Sequence, residues 1–325
     1  MAILESIQAM SANFLAQLKE NFLGENSRLW WAWLVIAFPL IGAIVGAYEL
    51  KKSRQAVTIK GLFNFVFPKE IYKSASFKND LIIVFSLYAT YAIILFLIGG
   101  AESKVIIGKM IHFFSSSDIM DQLKLGGFKK AATLNLGLHL FFTFLVILVY
   151  DFGFTMLHYA FHKIPFLWRF HRVHHSAEHL TPFTVARFHL VEYILMKAVE
   201  GLTIGFIFAI FYYILPKGVD MYKVFGLSLF AILFSAIGVF RHSHIWISYG
   251  FMNYIFCSPA MHQIHHSKEP RHIDKNLSQI FSFWDYFLGT LYVPKTRETF
   301  AVGLSDEEGW NAKQKRKALF LHFKA

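Results

Sequence analysis

The sequence has 325 residues, of which 55% are hydrophobic, 18% aromatic and only 16% charged. A soluble domain carries about 25% charged residues, so much of this surface is not built to meet water. A single cysteine excludes an internal disulfide framework, and a net charge of +11 on so apolar a chain favours anionic lipid over nucleic acid as the partner.

In chain order, segment 1–28 comes first. Ile3, Ile7, Met10, Phe14, Leu18 and Phe22 fall at helical spacing there, which predicts an amphipathic helix lying on a membrane or docked on a partner. Five apolar stretches follow, each near the roughly 20 residues that a bilayer core requires. They are 29–49, 81–100, 134–157, 194–215 and 222–240. The first begins too far into the chain, and lacks the small-residue cleavage site, to be a signal peptide. Region 29–157 thus reads as membrane helices, and region 158–295 as a histidine-rich part with two further membrane helices, 194–215 and 222–240. Segment 296–325 is a basic tail ending "NAKQKRKALFLHFKA", suited to an anionic lipid surface or to solvent. Five spans put residues 51–79, 158–193 and 241–325 on one side. That side holds 22 Lys and Arg against 9 on the other, or 11 against 9 once the long segment 241–325 is set aside, and it is expected to be cytoplasmic.

Ten of the 16 histidines lie in four groups, all on that side. "HYAFH" carries His158 and His162, and "HRVHH" carries His171, His174 and His175. "RHSHIW" carries His242 and His244, and "HQIHH" carries His262, His265 and His266. Rings at i, i+3 and i+4 share one face of a helix. Clustered imidazoles repel one another if protonated, and a metal keeps them neutral because ligands bind deprotonated. Imidazole suits Zn, Cu, Fe and Ni. The rings outnumber the positions of one tetrahedral or octahedral site, so two metals are expected. A closed structural zinc site with cysteine ligands does not fit this set, which argues for a reactive centre with open positions. A non-enzymatic zinc-binding membrane protein is the remote rival. A transporter would hold its ligands near mid-membrane, whereas these lie at or beyond the ends of spans.

HYAFH, HRVHH and HQIHH, separated by hydrophobic spans, resemble the histidine boxes of the fatty acid hydroxylase / sterol desaturase superfamily. The flanking "HHSAEHLTPFTVARFHLVE", "RHSHIW" and "HHSKEPRHIDKN…FSFWDYFLGTLY" resemble that superfamily too. The resemblance covers roughly residues 60–295. It departs where His189-Leu190 stands in place of the usual His-Pro, and where His244 replaces a non-ligand. It implies an all-α integral membrane protein of four to five transmembrane helices, with a cytoplasmic helical cap holding a dinuclear site. The implied iron ligands are His158, His162, His171, His174, His175, His242, His262, His265 and His266. His244, His189, His272, Glu178, Glu192, Asp274 and Asn276, with Asp151, are candidates for further ligands or for groups orienting the ligand rings. Asp285 is a candidate helix cap. The implied cofactors are two Fe ions, which zinc can replace in purified protein, with O2 and an external electron donor. That donor is expected to be a separate redox partner; one branch of the superfamily uses tetrahydrobiopterin instead. The implied activity is O2-dependent hydroxylation at a C–H bond of a sterol, fatty acyl or alkyl lipid. Desaturation or oxidative demethylation at the same centre is the alternative. The implied location is a bacterial inner membrane or the endoplasmic reticulum, with the active site on the cytoplasmic face and no role for nucleic acid.

Overall fold

The computed structural model describes residues 32–97, 103–116, 136–215, 219–224 and 227–307. The helix expected over 1–28 and the end of the basic tail lie outside these residues. The described chain is almost wholly helical. Its main elements are α1 (Trp33–Lys52), α2 (Ile59–Val66), α3 (Ala75–Leu97), α4 (Ser103–Ser116), α5 (Leu136–Lys163), α6 (Pro165–His175) and α7 (Leu190–Ile214). A short antiparallel pair, β1 (Lys223–Val224) with β2 (Leu227–Ser228), precedes α8 (Leu229–Arg241), α9 (Pro259–His265) and α10 (Phe283–Leu288). Among the described residues, α1, α3, α5 and α7 are long and apolar enough to cross a membrane.

The stretch 222–240 differs from the expectation of a fifth span. The β1–β2 pair consumes its first residues, Ser228 Oγ caps the chain by accepting from Ala231 N–H, and α8 falls short of spanning length. It still makes the return journey. The Tyr222 N–H donates to Thr143 Oγ1 at 2.6 Å near the start of α5, and His242, just past α8, lies 3.1 Å from His174. The chain therefore climbs from the far end of α5 back to the histidines.

No break separates the third apolar run from HYAFH. The 28 residues of α5 rise about 42 Å at 1.5 Å each, more than the roughly 30 Å bilayer core, so one helix carries both a span and the first box. It lies against α7 at Gly153, where a Cβ would meet Thr203 Cγ2 at 2.5 Å. Phe142, Val146 and Tyr150 of α5 pack with Ile204 and Ile207 of α7 and Phe234 of α8.

Two devices fix the second box. Pro165 at the first position of α6 sets its start. A buried cation clamps its end: Arg187 Nη1 meets Asp80 of α3 at 2.6 Å, while Arg187 Nε donates to Val173 O and Nη2 to Ser176 Oγ. The hydroxyls of Thr181 and Thr184 donate to the other Asp80 oxygen. The first residues of the expected tail belong to the fold as well. The Lys268 N–H donates to Ala301 O, Ser267 bridges Val302, and the Glu298 carboxylate receives the Tyr292 hydroxyl.

Candidate metal centre

Nine histidines converge in two adjoining groups. The ligand-type nitrogens of His158, His162, His171, His175 and His265 lie within 4.8 Å of one another, and so do those of His174, His242, His262 and His266. The two groups touch through the stacked rings of His175 and His266, 4.5 Å between centroids.

The helices explain the partition. In HRVHH the i, i+4 pair, His171 and His175, faces the first group, and the i+3 ring, His174, crosses to the second. In HQIHH the pair His262 and His266 faces the second group, and His265 crosses to the first. The two motifs are thus used in the same way with the groups exchanged. His158 and His162 of α5 complete the first group, and His242 after α8 completes the second.

The hydrogen bonds fix which ring nitrogens carry protons. His158 Nδ1 donates to Leu277 O at 2.6 Å, His265 Nδ1 to Lys275 O at 2.9 Å, and His242 Nδ1 to Gly238 O at 3.1 Å. His171 Nδ1 lies 2.7 Å from Glu192 Oε1, and His162 Nδ1 lies 3.1 Å from Asp274 Oδ1. A neutral imidazole with its proton on Nδ1 presents a lone pair at Nε2. The lone pairs of His158 and His171 point at one another, and His242 Nε2 faces two further rings. The Nε2 atoms of His158 and His171 are 3.0 Å apart, those of His242 and His262 2.9 Å, and those of His242 and His174 3.1 Å. No proton is left to join His158 to His171, so that contact is repulsive unless a cation lies between them. The buried Nε2 atoms of His162 and His265 have no hydrogen-bond partner, although buried polar nitrogens are almost always satisfied. Burial, and then the neighbouring rings, push His171, His174, His175, His262 and His266 well below the ordinary histidine range, so they stay neutral. Burial does the same to His265. Neutral, buried imidazoles in groups of five and four fit metal ions.

The remaining candidates divide. Glu192, buried, and Asp274 touch ring nitrogens as described. Asn276 touches none: it holds Met261 O, Tyr292 O and the Tyr292 N–H, with φ +55°. His189 caps α7 by accepting from Val191 N–H, and His244 sits 2.8 Å from Phe65 O, outside both groups. His272 is buried against Tyr292 and Phe300, with Nδ1 2.9 Å from Ser267 Oγ. Glu178 is exposed, and its backbone N–H donates to Ser76 Oγ. Asp151 serves backbone rather than a ring, accepting from the Ile280 and Phe281 N–H groups. Asp285 likewise accepts from the Leu277 and Ser278 N–H groups. The carbonyls of Gly238, Lys275 and Leu277, which orient three rings, and the Arg187–Asp80 clamp carry no signal in residue type or spacing.

A cavity reaches both groups. Phe154, Leu157, Phe161, Phe188 and Met196 form its apolar lining, and His158, His171, His174, His242 and His262 line it too. Phe154 and Leu157 belong to α5 and Met196 to α7, so the apolar wall is built on two of the spans.

Together these features define a multi-pass helical membrane protein of the histidine-cluster, metal-binding class. Residues 143–290 match the family profile of fatty acid hydroxylases, and this match with the relatives below supports the fatty acid hydroxylase / sterol desaturase superfamily. Among its relatives is the ornithine lipid hydroxylase OlsE of Rhizobium tropici, 26% identical over 159 residues, 49% of this chain and 44% of that protein. Alkylglycerol monooxygenases are similar over much the same extent. That of Caenorhabditis elegans is 23% identical over 49% of this chain and 28% of its own length, and that of Danio rerio 29% identical over 43% and 28%. The chain thus matches less than half the length of each of these relatives. No solved structure matches it.

Proposed function

We propose that this protein is an O2-dependent hydroxylase of a membrane lipid, with two iron ions held by the two histidine groups. One observation carries the reading: the buried Nε2 lone pairs of His158 and His171 face each other at 3.0 Å, a geometry that a bound cation makes favourable. The first iron's ligands are His158, His162, His171, His175 and His265, and the second's are His174, His242, His262 and His266. With O2 and two electrons from an external donor, such a pair of irons supplies oxidation of an unactivated C–H bond. The protein's own share is placement and shielding. Glu192 and the Leu277 carbonyl hold His171 and His158 in one tautomer and orientation. Phe154, Leu157, Phe161, Phe188 and Met196 offer an apolar wall for a chain entering beside the spans. The substrate class, a lipid with an acyl or alkyl chain, agrees with the names of the relatives, which act on ornithine lipid and alkylglycerol. The charge asymmetry supports a cytoplasmic site, and a separate reductase or a reduced pterin is the proposed electron source.

The test compares lipids from a strain lacking the protein with those from a complemented strain grown under heavy-isotope O2. A labelled hydroxyl on a lipid found only in the complemented strain is expected. A lipid that loses two hydrogens and gains no label would make the enzyme a desaturase. No lipid difference, in a strain whose protein holds zinc, would replace the enzyme reading with a structural one.

A further inference from the structure

The C-terminal part of the site descends along a membrane helix instead of sitting above it. Leu277 O meets His158 at the top of α5. Three and four residues later, the Ile280 and Phe281 N–H groups each donate at 2.8 Å to Asp151. Asp151 is seven residues back along α5, about 10 Å further down at 1.5 Å per residue. The Phe281 ring lies 6.4 Å from that of Phe144, lower still, and the Trp284 ring lies 5.1 Å from that of Phe152.

A second segment hangs on the first. The Cys257 N–H donates to Ile280 O, the Ser282 N–H to Ile255 O, and Ser282 Oγ to Asn253 O; Phe256 bridges Phe281. Running back from 257 to 255 thus follows 280 to 282 down α5, and the turn Gly250–Tyr254 forms the tip. This surface is apolar and bare: Phe251 is 80% exposed, Phe287 74%, Tyr286 68% and Tyr254 61%. Residues 245–257 contain no Asp, Glu, Lys or Arg, and residues 277–292 contain only Asp285, which is fully buried.

We infer that residues 249–257 and 277–288 form a wedge embedded in the bilayer, with lipid acyl chains as the partner of its exposed aromatic face. Three observations select lipid. The face continues that of α5, a span. A soluble surface of this size would be expected to carry charge. Non-helical backbone survives at membrane depth only when its polar groups are satisfied within the protein. Here the carboxylates of Asp151 and Asp285 receive the N–H groups of Leu277, Ser278, Ile280 and Phe281. The wedge also contributes Ser278 and Gln279 to the cavity wall, so it forms one side of a lateral route from the membrane interior. The inference does not depend on the identity of the metal or of the reaction.

The test places nitroxide labels at Phe251→Cys, Phe287→Cys and Glu269→Cys, one at a time, in the full chain in phosphatidylcholine/phosphatidylglycerol liposomes. The native Cys257 is buried and does not label. The ratio of accessibility to O2 over that to a water-soluble nickel chelate is read by power saturation. The expected result is a ratio inverted at 251 and 287 relative to the exposed control 269. Chelate accessibility at 251 and 287 equal to that at 269 would overturn the wedge, as would shielding from both reagents, the mark of a protein partner. Wild-type protein gives an independent reading through a phosphatidylcholine with a photoreactive group in its acyl chain. Adducts are expected on residues 250–256 and 283–288, and adducts confined to α1, α3, α5 and α7 would contradict the inference.

Discussion

Asp274, Lys275 and Leu277 each meet a different histidine of the first group, within four consecutive residues. Packing three partners so tightly requires a contorted backbone, and Asp274 and Asn276 both adopt positive φ, +58° and +55°. Asp and Asn tolerate this left-handed region better than branched residues do. Asn276→Val is therefore expected to cost more than Asn276→Gly, by roughly 1 to 2 kcal/mol of backbone strain, and thermal unfolding of the two variants would show the order. Glu192→Gln replaces the carboxyl partner of His171 Nδ1 and is expected to weaken metal binding about 10- to 100-fold. Chelator competition measures this, and an unchanged affinity would contradict the orienting role. The pH response has a defined sign. Six histidines of α6 and α9 and the residue after it titrate well below 6.5 when folded. The unfolded chain takes up protons near 6.5 that the folded chain refuses, so stability is retained above that value and lost as pH falls below it. Metal-free protein should melt at progressively lower temperature below about pH 6.5 and vary little above it. A melting temperature indifferent to pH over that window would show that the rings are not buried and neutral.

At the scale of elements, the paired motifs explain why HxxHH recurs. In the proposed centre an i, i+4 pair would grip one ion while the i+3 ring would reach the other, so each helix would touch both and fix their separation. His174→Ala and His265→Ala remove the two crossing rings. Each is expected to abolish turnover and lower the metal count while the protein still inserts, because α1, α3, α5 and α7 carry their own hydrophobicity. His112→Ala, exposed on α4, should leave both quantities unchanged. The spacing made the grouped rings and their shared helix faces legible in the sequence. The exchange between groups was not legible, because it depends on how α6 and α9 are rotated against each other. That rotation rests partly on the Arg187–Asp80 clamp, whose partners are 107 residues apart. Asp80→Ala strands a buried guanidinium, and a loss of about 3 to 5 kcal/mol is expected. An unaltered unfolding temperature would remove the clamp from the account.

For the whole molecule, composition and apolar run length identified a helical membrane protein, and α1, α3, α5 and α7 answer to four of the five stretches. The fifth, 222–240, returns from the far end of α5 to the histidines through a hairpin and a helix shorter than spanning length, a division that hydropathy does not register. The descent of residues 277–281 along α5 was hidden too, since its anchors, Asp151 and Asp285, read as ordinary acidic residues beside a motif. The fold keeps residues near 65 with the histidines, through the His244 contact to Phe65 O, so the loop after α1 shares a side with the site. A reporter fused at residue 70 should read cytoplasmic, and a non-cytoplasmic reading would reverse the proposed orientation. The central claim is that the two histidine groups hold a metal pair that inserts oxygen into a lipid. Its most direct measurement is heavy-isotope O2 labelling of membrane lipids in cells expressing wild type, His174→Ala or His265→Ala at equal protein level. Label in one lipid hydroxyl with wild type, and with neither variant, is the predicted result. Equal label in that lipid from wild type and either variant would contradict the account.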